Sequence, residues 1–137
     1  MFIEFTEKDI LRSKIVEPAF YRVRIEDIES KISNKGDSTN FRLEGVILKN
    51  ADNGNEKYAG VPTPYLWFFN SKQLQHLIPV IQAVDPAWEV KPGVRVDPEL
   101  LKGQELEVYI GNGTYNNQIQ NQITNQYRPV VEKRVVR

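Results

Sequence analysis

Cysteine is absent from the 137-residue chain, which excludes a disulfide framework, a thiolate zinc site and a cysteine nucleophile and suits a reducing compartment. Long apolar runs are missing as well: no stretch approaches the ~20 apolar residues that a bilayer-spanning helix needs. The opening MFIEFTEKDILRSK carries Glu4, Glu7, Lys8 and Asp9, so it lacks the basic start and apolar stretch of a signal peptide. A soluble, cytoplasmic protein with no membrane partner is the expectation. Net charge is also missing, since 18 basic residues balance 18 acidic ones, and a uniformly basic nucleic-acid binder is thereby excluded. Any phosphate-binding surface has to be a local patch.

Motifs for chemistry are equally scarce. The chain has no P-loop, no glycine-rich dinucleotide fingerprint and no nucleophile motif. His76 is the single histidine and falls in a segment with helical periodicity, where it reads as a surface or packing residue. Asp85, Glu89, Asp97 and Glu99 are near one another in sequence but lack the repeating spacing of an oxygen-ligand loop, so they read as a solvated connection. No enzyme, no cofactor and no metal site are expected.

What is present is an apolar fraction of 40%, sufficient for the core of one domain. Residues 1–17 read as a leader with a short helix near 6–11, ended by Pro18. In AFYRVRIEDIES, Tyr21, Val23 and Ile25 alternate with Arg22, Arg24 and Glu26, the period of a half-buried strand. SNKGDS is a turn cluster built on Gly36. A second strand follows over about 40–49, with Gly45 interrupting it as a bulge glycine does. After the long polar connection NADNGNEKYAGVPTP comes the aromatic strand YLWFFN. Leu74, Leu77, Ile78 and Ile81 then recur at helical spacing, predicting a helix over 71–84 that Pro79 must kink or shorten. A proline-rich segment leads to a fourth strand with Leu106, Val108 and Ile110 inward and Glu105, Glu107 and Tyr109 outward. Gly111 to Gly113, GNG, reads as the next turn. The last strand is expected within 115–129, where Tyr115, Ile119, Ile123 and Tyr127 share a parity. Residues 131–137 form a basic tail: from Tyr115 onward, Arg128, Lys133, Arg134 and Arg137 face only Glu132, four charges against one, or +3.

Three strands, one helix and two strands is the element order of the OB-fold. The expected class is therefore mainly β with one helix, a five-stranded Greek-key barrel with the helix between strands three and four. The segments AFYRVRIEDIESKISNKGD, FNSKQLQHL, VDPELLKGQELEVYIG and TYNNQIQNQITNQYRP, in this order, resemble small phage-encoded single-stranded DNA-binding proteins with an OB-fold. The resemblance spans residues 18–130. It implies sequence-nonspecific binding of single-stranded DNA in phage DNA replication or recombination, in the host cytoplasm. Replication or recombination proteins and a second copy of the chain are further candidate partners. Many such proteins end in an acidic tail that recruits partners, whereas this chain ends in VVEKRVVR, so recruitment of that kind is not expected.

Binding a single strand without sequence preference takes cations along the phosphates and flat rings for the bases. On an OB-fold the usual face is strands two and three with the loops joining strands one to two and four to five. That mapping selects Arg22, Arg24, Lys31, Lys35, Asn40 and Arg42, with Tyr65 and Trp67 on strand three, and Tyr109, Tyr115, Asn117 and Asn121 near the second loop. Tyr65, Trp67 and Phe69 share one parity and Leu66 and Phe68 the other. Alternation alone does not say which set lines the core, and the mapping takes Tyr65 and Trp67 as exposed. The alternative to DNA binding is an OB-like protein–protein interaction module of a phage replication, recombination or structural assembly.

Overall fold

The computed structural model describes residues 1–64 and 67–134. Its frame is five antiparallel strands: β1 (Ala19–Ile32), β2 (Thr39–Asn50), β3 (Phe68–Asn70), β4 (Glu105–Tyr115) and β5 (Gln118–Arg128). Their spatial order is β3-β2-β1-β4-β5. A helix α1 (Glu7–Arg12) precedes the sheet and a helix α2 (Ile78–Val84) lies between β3 and β4. The mainly-β class and the position of the helix agree with the sequence reading. Among the described residues the backbone does not close the expected barrel, because β3 and β5 sit at opposite ends of the hydrogen-bonded order.

β1 organises the rest, pairing with β2 along most of its length and with β4 through Ala19 to Arg24. Register shifts between Arg22 and Val23 and between Ile25 and Asp27 bend it. The second shift inserts one residue, so the inward set runs Tyr21, Val23, Ile25 and then Ile28. Gly45 sits opposite this bulge, and a Cβ there would lie 2.9 Å from the Arg24 carbonyl oxygen and 3.3 Å from Thr63 Cγ2. Close approach of backbone, rather than an unusual φ, is what demands glycine at this position.

β3 is short because Pro62 and Pro64 have no N–H to give. The preceding segment nevertheless follows β2 through single bonds: Gly60 N to Ile47 O (2.8 Å), Ile47 N to Val61 O (2.8 Å), Thr63 N to Gly45 O (2.9 Å) and Leu43 N to Trp67 O (2.8 Å). The helix predicted over 71–84 is divided into a 3-10 turn at Leu74–His76 and α2. Pro79 falls in the first turn of α2, where its missing donor has no partner to lose. Val80, Ile81, Ala83 and Val84 are buried there.

The β4–β5 turn is not at the glycines. Gly111 and Gly113 lie inside β4, and the chain reverses at Asn116 and Asn117, both at positive φ (50° and 61°) between the paired Tyr115 and Gln118. Two positive-φ residues make a hairpin turn that matches strand twist, and asparagine is the side chain that best tolerates it. Gly113 has another use: the Gln122 amide lies where its Cβ would be, at 2.7–2.9 Å.

The core is formed by Tyr21, Val23, Ile25, Leu43, Ile47, Leu106, Val108 and Ile110 with Trp67, Phe69, Val80 and Val16. The inward parities expected for strands one and four are those observed. Glu107, expected outward, is on the outer side but buried at 3% exposure, because Arg128 and Arg134 close over it.

Candidate nucleic-acid interface

The outer face of β1, β2 and β3 is set by register. Lys31 pairs across from Asn40 and Glu29 from Arg42. Asn40 then stands opposite Asn70, and Arg42 opposite Phe68. This brings four of the sequence-selected types of group to one surface: a lysine, an arginine, an asparagine and an aromatic ring. The ring is Phe68, half exposed at 51%, and not Trp67.

Trp67 is a correction to the mapping. It is 2% exposed, shares the core with Phe69, and donates its indole N–H to the Tyr127 hydroxyl at 3.0 Å. The indole has the larger apolar area, so burying Trp67 and Phe69 gains more than burying the opposite parity. Tyr65 lies outside the described residues. Phe68 belonged to the other parity, and the signal that would have selected it is the tryptophan itself, the largest ring of the strand and so the costlier one to leave in water.

The cations differ in what holds them. Arg42 reaches Glu29 at 2.8 Å and Glu44 at 4.0 Å, and Arg24 reaches Glu26 at 2.8 Å. Arg22 is on a different part of the sheet, gripped by Glu105 at 2.6 Å and Glu132 at 2.7 Å. The hydrogen bond that Arg22 donates to Glu132, ahead of that to Glu105, holds the guanidinium above its ordinary pKa. Lys31 and Lys35 are exposed and form no ion pair among the described residues. Lys35 rides on the β1–β2 loop, whose Gly36 adopts φ 71° as a turn glycine. That loop is fastened beside β3 by Lys72 to Asp37 (2.7 Å) and by Asn70 Nδ2 to Ser38 Oγ (3.0 Å). The Lys72 hydrogen bond, helped by Ser33, lowers the Asp37 pKa.

Of the remaining expected residues, Tyr115 is 66% exposed at the tip of β4 and Asn117 forms the adjoining turn. Tyr109 is half-buried edge-on against Phe20, 5.3 Å between centroids, and Phe20 lies 3.8 Å under the Arg128 guanidinium. Asn121 is used structurally: its side chain accepts from Val16 N (2.8 Å) and donates to Val16 O (2.9 Å) and Asn112 Oδ1 (2.9 Å). Arg22, Tyr109 and Asn121 are thus not on the Phe68 face in any usable form. Nor is the tail a free basic extension through residue 134, since Glu132 and Arg134 clasp Arg22 and Glu107 while Lys133 donates to the Val84 carbonyl at 3.0 Å.

The clustered carboxylates of 85–99 each have local work. Asp85 accepts from Ala87 N and Asp97 from Glu99 N, while Glu89 pairs with Lys91 and Glu99 with Lys102. Among the described residues no group of three His, Cys, Asp or Glu is arranged to hold a metal ion, and no helix is long and apolar enough to cross a membrane. Neither protein-family models nor curated proteins match the chain.

Proposed function

We propose that the sheet is an OB-fold whose barrel is left open between β3 and β5, and that it binds single-stranded DNA without sequence preference on the outer face of β1, β2 and β3. The strand order supports the first part, since an OB barrel cut along one seam reads β3-β2-β1-β4-β5 and the fold is known to be partly open. The observation that carries the second is the Phe68 ring, exposed and in register with Arg42, with Asn40, Asn70 and Lys31 alongside. Bases stack on the ring, amides reach sugars or base edges, and cations follow the phosphates. The β1–β2 loop with Lys35 and the β4–β5 hairpin with Tyr115 and Asn117 are the two loops an OB-fold uses at the ends of its groove. Protection or organisation of single strands in phage replication or recombination follows from that activity, with no catalysis by the protein.

The test is a polarisation titration of labelled oligo-dT at low and at raised salt. Saturable binding that weakens with salt supports the proposal; absence of binding at low salt overturns it. One observation favours a second reading, a protein-binding module: Arg24 and Arg42 are already matched by carboxylates on their own face, which leaves Phe68 as an apolar spot whose nearest arginines are neutralised. A protein ligand there would bind with little response to salt.

A further inference from the structure

The stretch between α1 and β1 does not trail away from the sheet. Val16 is buried in the core at 2% exposure, and Asn121 holds both its amide and its carbonyl. Upstream, Arg12 and Lys8 reach Glu44 on β2 at 2.8 and 3.7 Å. Residues 12–16 therefore bridge β5 to β2 across the open side of the sheet. Beneath this bridge lies a cleft of about 440 Å³, within the ~300–1,000 Å³ range of small-molecule sites. Its lining is mixed: Leu43, Ile47 and Ile110 are buried and apolar, Thr63 is buried and polar, and Lys14, Ile15 and Ile119 are exposed at its edge.

We infer that this cleft takes one unstacked base of the bound strand and that Lys14 contacts the neighbouring phosphate; the inference rests on the DNA-binding reading above. A nucleobase is flat and apolar on its faces with polar edges, which suits a lining where apolar side chains alternate with the Thr63 hydroxyl and the Gln118, Gln120 and Asn121 amides. Lys14 is exposed and without an ion-pair partner among the described residues, so it is a cation with nothing to give up. Arg42 is common to the two places, since it lines the cleft and stands opposite Phe68 in the β2–β3 pairing. On this inference a strand stacked on Phe68 passes Arg42 on its way to the cleft. The segment read from sequence as a leader is accordingly one wall of the binding site.

The experiment compares Lys14→Glu and Ile119→Ala with the unaltered chain, both positions being exposed, using oligo-dT and an abasic oligonucleotide of equal length, with thermal midpoints as the fold control. Lys14→Glu is expected to weaken both ligands and to lower the magnitude of the salt slope by about 0.7, one phosphate on a single strand. Ile119→Ala is expected to weaken oligo-dT roughly fivefold or more and leave the abasic ligand unchanged, since a side chain that touches only a base loses nothing when the base is missing. If both variants bind oligo-dT as the unaltered chain does while Phe68→Ala binds poorly, the cleft inference is overturned and the stacking face stands. If the unaltered chain does not bind oligo-dT at low salt, the DNA reading itself is overturned and the cleft assignment with it.

Discussion

The Trp67 indole donates to the Tyr127 hydroxyl at 3.0 Å, with the two rings stacked 6.3 Å apart at 19°. One residue immediately precedes β3 and the other lies near the end of β5, so this side-chain pair joins the two edges that no ladder hydrogen bonds connect among the described residues. A Trp–Tyr contact is well suited to that place, because each ring covers apolar area and the polar atoms satisfy one another. Burial pushes the Tyr127 pKa up to about 12, so its hydroxyl keeps its proton across the working range and stays available as acceptor and donor.

Tyr127→Phe should therefore destabilise the fold by about 1–3 kcal/mol, the cost of leaving a buried donor without its partner. Denaturant unfolding followed by tryptophan fluorescence measures it. Oligo-dT affinity at a temperature where both proteins are folded should be unchanged, because neither ring is on the proposed binding face. A loss of affinity without a loss of stability would mean that the seam itself contacts DNA.

Phe68→Ala should have the opposite signature. A half-exposed ring on the outer face contributes little to the core, so stability is expected to change by less than about 0.5 kcal/mol. Binding of oligo-dT should weaken by about 1–3 kcal/mol, the worth of one base stack. Trp67→Ala, in contrast, should cost about 3–5 kcal/mol of stability as a large core ring is removed. Paired titrations and melts of the two variants decide between the faces: strong binding by Phe68→Ala would leave the β2–β3 surface without its stacking platform.

Most of the frame was legible because period-two alternation over Tyr21 to Ile25 and Leu106 to Ile110 admits one inward set, and because Gly45 marks a bend that a Cβ would obstruct. Three readings failed for identifiable reasons. GNG looks like a turn, but asparagine can also supply positive φ, and Asn116–Asn117 took the reversal while the glycines served close packing against Tyr109 and Gln122. The aromatic strand has rings on both parities, so alternation was silent, and the area of the Trp67 indole decided the matter. The site arginines were read as single charges, whereas β1 and β4 place carboxylates beside them: Glu26, Glu29 and Glu105 are each within 3 Å of an arginine. Pairing across strands depends on register, which the sequence pattern does not specify to a single residue.

That pairing predicts a shallow salt response. With Arg22, Arg24 and Arg42 already neutralised by neighbours, the cations of the proposed site that can release counterions without first breaking an ion pair are Lys14, Lys31 and Lys35. Three phosphate contacts at ~0.7 each on a single strand give a slope of log affinity against log salt near −2. Titrations at four or more salt concentrations measure it. A slope far steeper than this would mean that the arginines exchange their carboxylates for phosphates on binding, and a slope near zero would favour the protein-binding module.

The clasp of Glu132 on Arg22 carries a pH dependence whose direction is fixed. Its hydrogen bond from Arg22, followed by the local backbone, lowers the Glu132 carboxyl below its ordinary value of 4.5. A carboxylate with a depressed folded-state pKa adds stability that is present in full above its unfolded-state pKa. The contribution is lost as pH falls through the lower, folded-state value. Glu132→Gln removes the titrating group, so the stability difference between the two proteins should be constant near neutrality and vanish in acid, below the ordinary glutamate range. Because Glu132 is fully exposed, the difference is expected to be small and to shrink further at high salt. Urea unfolding of both proteins across that range, with a ¹³C titration of the Glu132 carboxyl, tests it. A Glu132 midpoint at or above 4.5 would show that residues 131–134 are not held on Arg22 in solution and that the outer face of β1 and β4 is open.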